Sequence, residues 1–321
     1  MLKFIDLFSG LGGFRIALED KNCKCVFSSE IDKFVCDVYE KNFNERPKGD
    51  ITKIESEDIP DFNILCAGFP CQPFSIGGLR KGFEDTRGTL FFEVARILKD
   101  KKPEAFILEN VKGIVNHDNG NTLKVILNTL NELGYKYSYK VLNALDYGIP
   151  QNRERWYCVG FREDLNINIR DENGKDLIFP KKKKLEVYIE DIIDKNVIGH
   201  EITEIARNNI NLHINKTKSK NSYNSNRFIV ANEIRPSRCS FRNNGTFPCF
   251  TAKMGTGGNN VPVIVEYNRK VTVKECLKVM GFPEGFIIKD NYNQSYKQIG
   301  NSVVVPIIKD IADNVKKALG Y

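Results

Sequence analysis

Apolar residues fall along the first half of this chain in short blocks, and between the blocks they recur every three to four positions. Phe4-Ile5-Asp6-Leu7-Phe8, Cys25-Val26-Phe27-Ser28, Ile64-Leu65-Cys66-Ala67 and Ala105-Phe106-Ile107-Leu108 read as buried strands, as do the stretches Tyr139 to Leu142 and Trp156 to Gly160. Helical periodicity starts at Phe14 and Lys33, runs around Leu90 to Leu98, and returns from Thr122 to Leu133. Strand and helix alternating to about residue 160 predict an α/β domain: a mostly parallel, doubly wound sheet covered on both faces, with ligands at the carboxyl ends of its strands. After Phe179-Pro180 the texture changes to a lysine run at 181–184, a short amphipathic helix from Val187 to Ile193, and a polar Asn, Lys and Ser tract from Asn208 to Asn226. A second, smaller, irregular domain is expected there, with Gly255 to Asn260 as a mobile loop, and an amphipathic helix from Val303 to Leu319 ends the chain. The expected division is 1–185 with 298–321, then 186–275, with 276–297 as a hinge.

Composition narrows the class. With 321 residues, 41% hydrophobic and 28% charged, the chain can bury one large core and a smaller one. No apolar run approaches the roughly 18 residues of a membrane span, and Met1-Leu2-Lys3-Phe4-Ile5-Asp6 is already strand-like, with no signal core, so a cytoplasmic protein without membrane contact is expected. The net charge of +7 is unevenly placed: residues 181–280 hold 18 Lys and Arg against 9 Asp and Glu, a net of +9 that leaves −2 for the remainder. Such a segment suits a partner with a phosphate backbone, although a lysine run alone is more often a solvated linker. Nine cysteines are an odd number, the one close pair, Cys23 and Cys25, is spaced too tightly for zinc, and none of the three histidines lies near a cysteine. No metal is expected, and most of the thiols should be reduced and buried.

The chemistry centres on Ala67-Gly68-Phe69-Pro70-Cys71-Gln72-Pro73-Phe74-Ser75. A strand ending in Gly-Phe-Pro cannot carry its ladder through the proline, so the chain leaves the sheet and presents Cys71 on a stiff loop. Taken alone, Cys71 could equally be a small buried hydrophobe. Near the N-terminus Gly10, Gly12 and Gly13 follow a strand and open a helix, and Glu30 closes the next strand, as in sheets that hold a nucleotide cofactor with a carboxylate on its ribose. A dinucleotide fingerprint needs a third glycine where this chain has Arg15, which disfavours hydride transfer and favours an adenosyl cofactor. A plain tight turn explains the glycines equally well. Asp50, in Gly49-Asp50-Ile51, is placed to accept a hydrogen bond from an adenine amino group.

Six stretches taken together resemble the bacterial-type cytosine-5 DNA methyltransferase family of restriction-modification systems. Asp6 to Phe14 is similar to its cofactor motif, Phe69-Pro70-Cys71-Gln72-Pro73 to its nucleophile motif, and Glu109-Asn110-Val111 to its catalytic glutamate motif. Gln151-Asn152-Arg153-Glu154-Arg155 matches the paired-arginine motif, Met280-Gly281-Phe282-Pro283 the close of the recognition domain, and Gln298 to Val303 the return to the cofactor. The resemblance implies methyl transfer from S-adenosylmethionine, leaving S-adenosylhomocysteine, to carbon 5 of a cytosine flipped out of double-stranded DNA, on a Rossmann-like methyltransferase sheet. Because carbon 5 is a poor nucleophile, a thiolate from Cys71 must first add to carbon 6. Glu109, protonated in a dry pocket, would serve ring nitrogen 3, Asn110 the base edge, Arg155 the ring carbonyl, and Arg153 a phosphate or the nucleophile loop. In isolation surface salt bridges would account for both arginines.

For the cofactor the resemblance implies Phe8, Ser9, Gly10, Leu11, Gly12, Gly13, Glu30, Ile31, Asp50, Ile51, Pro70, Asn301 and Ser302. Ile31 stands where the family frequently has tryptophan, Lys274 where it has arginine, and Met280 where glutamine is common. Ser75 to Gly88 has the polar, glycine-rich character of a closing lid, with Ser75 and Arg87 on the DNA backbone. Arg227, Arg235, Arg238 and Arg242 are of the type that reads guanine edges, although phosphate contacts outnumber base contacts; Thr251 and Gly257 would approach the backbone. A monomer suits one asymmetric site, and a cognate endonuclease acting on the same sequence need not bind. The rivals are a transfer-RNA cytosine methyltransferase, disfavoured by the long basic insert, a DNA-binding protein that has lost catalysis, and a nicotinamide oxidoreductase.

Overall fold

The computed structural model describes residues 1–70, 90–171, 173–218, 227–256, 260–289 and 292–321. In chain order the elements are β1 (Leu2–Leu7), α1 (Gly13–Leu18), β2 (Cys23–Ser29), α2 (Lys33–Phe43), β3 (Ile64–Gly68), α3 (Leu90–Lys101), β4 (Ala105–Val111), α4 (Asn121–Glu132), β5 (Tyr135–Asn143) and β6 (Glu154–Arg162). There follow α5 (Ile189–Ile192), α6 (Glu204–Lys218), β7 (Val230–Asn232), β8 (Ser240–Arg242), β9 (Val263–Ile264), β10 (Arg269–Lys270), α7 (Val273–Met280), α8 (Tyr292–Asn301) and α9 (Val305–Ala318). Two compact units result: residues 1–142, 154–181 and 305–321, and residues 143–153 with 182–304.

The first unit is built on a six-stranded sheet in the order β2-β1-β3-β4-β6-β5. β1 pairs in parallel with β2 and β3, and β3 with β4, while β4 and β6 run antiparallel, so the sheet is mostly parallel as the alternating pattern predicts. The near-continuous apolar runs of β1, β3 and β4 follow from burial on both faces, and they meet Phe91, Phe106, Leu108 and Trp156 in one core. The chain leaves β1 toward β2 on one side and leaves the adjacent β3 toward β4 on the other. Between such divergent crossovers the loops at the carboxyl ends part and leave a crevice for a ligand. α9 packs on α1, where the buried Lys316 ammonium donates to the Leu18 carbonyl and to Asp20 Oδ2, both at 2.7 Å.

The second unit carries a four-stranded sheet ordered β10-β9-β7-β8, antiparallel throughout. Its core joins Ile234 and Val263 to Ile202, Ala206 and Ile210. α6 occupies the first half of the tract from Asn208 that the sequence reads as irregular. Ala206, Ile210 and Ile214 form a buried stripe only one residue wide, which the surrounding Asn and Lys conceal. Residues 143–153 and 276–304 also belong to this unit. Gln151 and Arg153 bond its interior, and α7 and α8 pack within it.

Candidate active site

Four loops at the carboxyl ends of parallel strands make the site in the first unit. After β1 the chain turns through Phe8 and Gly10, both left-handed at φ 56° and 52°, and Gly12 at φ 79° caps α1. A side chain at Gly12 would be strained by that φ and would run into the Phe43 ring, so glycine is required there. Ser9 N–H donates to the Ser29 carbonyl at 2.9 Å, stitching this loop to the end of β2. Glu30 closes the cradle: its Oε2 accepts from Gly10 N–H at 3.0 Å, and its Oε1 from the N–H groups of Ile31 and Asp32, each at 2.9 Å. Asp50 Oδ1 caps its own turn by accepting from Thr52 N–H and hydroxyl, at 3.1 and 2.8 Å, and its Oδ2 has no partner among the described residues.

Arg15, at the position of the missing third glycine, fills rather than opens the loop. Its guanidinium lies 4.8 Å from the centre of the Phe43 ring and bonds Glu19 at 2.8 Å and Glu45 at 2.9 Å. Burial disfavours its charge, but the Glu19 hydrogen bond together with the Tyr39 hydroxyl outweighs burial and holds the arginine firmly charged. Ile31 is 70% exposed, so it covers nothing within this unit by itself.

On the other side of the crevice, register brings the catalytic groups together. Gly68, the last residue of β3, pairs with Glu109 on β4, and Arg155 on β6 pairs with Val111. Side chains two apart on a strand share a face, so Glu109 and Arg155 meet diagonally, with Arg155 Nε 3.2 Å from Glu109 Oε1 and Glu109 only 7% exposed. Asn110 points elsewhere: buried, it donates through Nδ2 to the Phe69 carbonyl at 2.8 Å and accepts from Val111 N–H through Oδ1. That amide fixes the backbone two residues before Cys71, whereas the resemblance implies that it holds the base edge. Pro70 is exposed. Cys71, Ser75, Arg87 and the lid from Ser75 to Gly88 lie outside the described residues, as does Gly257. Burial pushes the thiols of Cys23, Cys25, Cys66, Cys158 and Cys276 up, to about 11 at Cys23 and about 12 at Cys25, which leaves these five unsuited to nucleophilic attack.

In the second unit Arg153 is 2% exposed, and its guanidinium donates to the carbonyls of Phe250 at 2.6 Å, Gly300 at 3.1 Å and Ser302 at 2.5 Å. Bonded to three carbonyls, this guanidinium clamps the interior of the unit, whereas the resemblance implies a phosphate or the nucleophile loop for it. Gln151 works beside it, taking Phe250 N–H at 3.1 Å and donating to Met280 Sδ at 3.2 Å, a bond that shows how methionine is accommodated there. Gly300 lies so close to the Thr251 backbone that any Cβ would collide with it. Asn301 and Thr251 are exposed, and Ser302 is buried.

The four candidate DNA-reading arginines are not equivalent. Arg227 stacks on Tyr188, 3.4 Å from the ring centre, and pairs with Glu190, so it is a packing residue. Arg242 is half-buried beside Thr246, and desolvation lowers its pKa. Arg235 donates to the Ile234 carbonyl and to Asn260 Oδ1 at 2.8 Å, whereas Arg238 is largely exposed and pairs with Glu233 at 3.5 Å.

A parallel-sheet crevice with a glycine cradle and a ribose-type carboxylate on one side, and a carboxylate and guanidinium at the strand ends on the other, defines the S-adenosylmethionine-dependent methyltransferase class. Within that class, the model of the C-5 cytosine-specific DNA methylase family matches residues 2–317, and the chain belongs to that family. It is 44% identical over 329 residues to the type II methyltransferase M.HhaI of Haemophilus parahaemolyticus, covering 100% of this chain and 96% of that protein. It is also 44% identical over 317 residues to M.HaeII of Haemophilus aegyptius, covering 99% and 93%. Among solved structures, the Entamoeba histolytica methyltransferase EhMeth shares the fold with a TM-score of 0.71 at 20% identity, covering 100% of this chain and 99% of that one. Dnmt2 of S. pombe does so with 0.67 at 18%, covering 100% of both. The protein is a DNA cytosine-5 methyltransferase. Among the described residues no helix is long and apolar enough to cross a membrane.

Proposed function

We propose that this enzyme methylates cytosine in a short duplex DNA sequence through a covalent adduct on Cys71, and that it protects DNA from a restriction endonuclease of the same specificity. The observation that carries the reading is the Glu109–Arg155 pair, 3.2 Å apart beside the strand that leads through Phe69 and Pro70 to Cys71. The donor set suits an adenosyl amino acid: the Glu30 carboxylate and the Ser9 hydroxyl, buried without a hydrogen-bond partner among the described residues, lie in the loops after β2 and β1, and Asp50 Oδ2 lies in the connection from α2 to β3. Bound there, S-adenosylmethionine supplies an electrophilic methyl group.

This chain's residues do the rest. The Cys71 thiolate forms a bond to carbon 6, and the electron pair released toward ring nitrogen 3 is met by a proton held at Glu109. Arg155 stabilises the charge on the ring carbonyl oxygen and keeps Glu109 oriented. Carbon 5, now an enamine carbon, forms its bond to the methyl group as nitrogen 3 returns its proton to Glu109; a base then takes the proton on carbon 5, the ring double bond re-forms, and the sulfur leaves carbon 6 as the thiolate. Asn110 holds the Phe69 carbonyl, and so the approach to Cys71. The basic residues of 181–280 neutralise phosphates. Of the four arginines, Arg235, Arg238 and Arg242 are the DNA contacts, and Arg227 is not.

The test is transfer of labelled methyl from S-adenosylmethionine to unmethylated duplex DNA, with transfer RNA as a salt-matched competitor, Cys71→Ser in parallel, and the product mapped base by base. Label at carbon 5 within one short motif, absent from the variant, is expected. Label on transfer RNA alone would overturn the DNA reading.

A further inference from the structure

The segment after Asp50 makes no sheet or helix ladder, yet it carries the turn at the adenine end of the cofactor site. Ile51–Lys53 and Ser56–Asp58 are single 3-10 turns, and Ile51 and Ile59 anchor them by burial alone. Burial fixes the depth of such a loop but not its direction, because hydrophobic contact is non-directional. The direction comes from α3. That helix buries Phe91, Val94, Ala95 and Leu98 in the core, and its polar edge at Glu93, Arg96 and Asp100 lies one turn apart along the loop.

The contacts of Arg96 are dense. Nη2 donates to the carbonyls of Ile51 at 3.2 Å and Ile54 at 2.9 Å, and Nη1 to the Ser56 hydroxyl at 2.9 Å. Nε and Nη2 both bond Glu93 Oε2, at 3.0 and 2.8 Å, so the planar fork is locked in orientation. The Ser56 hydroxyl passes its own proton to Asp100 Oδ2 at 2.6 Å. One guanidinium thus holds both turns and the residue next to Asp50, and a lysine could not reach three acceptors in fixed directions.

We propose that Arg96 is a positioning residue for cofactor binding: it aims the Asp50–Ile51 turn at the adenine end, without touching substrate or cofactor. The inference rests on the reading that Asp50 binds the cofactor. Its consequence is specific. Loss of Arg96 weakens cofactor affinity and raises the KM for S-adenosylmethionine by about tenfold, the worth of one charged hydrogen-bond cluster, while kcat at saturating cofactor stays within about twofold.

The experiment is a double-mutant cycle with Arg96→Met and Asp50→Ala, reading the Kd for S-adenosylhomocysteine by calorimetry and the KM and kcat for methyl transfer. If Arg96 acts through the turn, the two losses overlap and the double variant binds little worse than Asp50→Ala. Additive losses, or a lower thermal midpoint with unchanged Kd and KM, would make Arg96 merely structural and overturn the proposal. Ser56→Ala, which keeps the guanidinium and its two carbonyl bonds, supplies the same reading should Arg96→Met fold poorly: a rise of about twofold to threefold in Kd supports the proposal and no change opposes it. Should Asp50→Ala itself leave the Kd unchanged, the cofactor reading fails at Asp50. If Asp50→Ala binds weakly and Arg96→Met normally, only the inference about Arg96 fails.

Discussion

Arg153→Met separates two roles that a sequence motif cannot distinguish. The substitution keeps most of the volume and removes a guanidinium that serves the carbonyls of Phe250, Gly300 and Ser302. Each buried acceptor left unsatisfied costs about 1–3 kcal/mol, and with partial relaxation and water entry the three together cost about 3–5 kcal/mol. The loss falls in the second unit, whereas the single tryptophan, Trp156, lies in the first, so urea unfolding should be followed by circular dichroism rather than tryptophan fluorescence. The midpoint should drop markedly for Arg153→Met. Arg155→Met, which breaks the pair with Glu109 and a bond to the Glu154 carbonyl, should lose methyl transfer with a much smaller shift. A phosphate contact would behave in the opposite way, lowering the salt slope of DNA binding by about one and leaving stability intact. A wild-type urea midpoint for Arg153→Met, accompanied by that reduced slope, would refute the clamp.

Further outcomes follow from other contacts. Glu109→Gln keeps the shape and hydrogen bonding of the side chain but cannot deliver a proton, so single-turnover methyl transfer should fall by about 10²–10⁴-fold while cofactor affinity is unchanged. Under the proposed cofactor site, Glu30→Gln should weaken S-adenosylhomocysteine binding by about tenfold in calorimetry, since a neutral amide accepts more weakly than the carboxylate that takes Gly10 N–H. The Glu275 carboxyl is held below its usual range: burial alone would raise it, but the Arg269 guanidinium at 2.6 Å and the N–H groups of Thr272 and Asp194 outweigh burial. Its contribution to stability is therefore present above its unfolded pKa of about 4.3 and lost as pH falls through the folded value. Glu275→Gln should unfold at lower urea than wild type at pH 7, with the gap closing in acid, and a gap independent of pH would contradict the assignment.

The sheet was legible because parallel strands buried on both faces are mostly apolar, and β1, β3 and β4 are, with polar residues in β4 confined to its carboxyl end. α6 was not, because its buried stripe is one residue wide among asparagines. Arg96 left no signal in the sequence, standing as one charged residue on an ordinary amphipathic helix. Arg153 and Arg155 share a motif and differ in fate. Alternation along the chain would place them on one face of a strand, but β6 begins only at Glu154, and Arg153 lies in the other unit.

By itself the sequence carried the alternation of strands and helices and the glycine loop with its closing glutamate, and it pointed to Cys71 and Glu109 as the reacting groups to test, because periodicity and the reactivity of a residue type are local properties. Only the tertiary structure decided which polar groups are spent on the protein and which remain for a ligand. Asn110 bonds a carbonyl, Arg153 three carbonyls, and Arg227 stacks on a ring; Asp50 Oδ2 has no partner among the described residues. A buried polar group must find a partner, and which partner it finds depends on strands and loops distant in sequence.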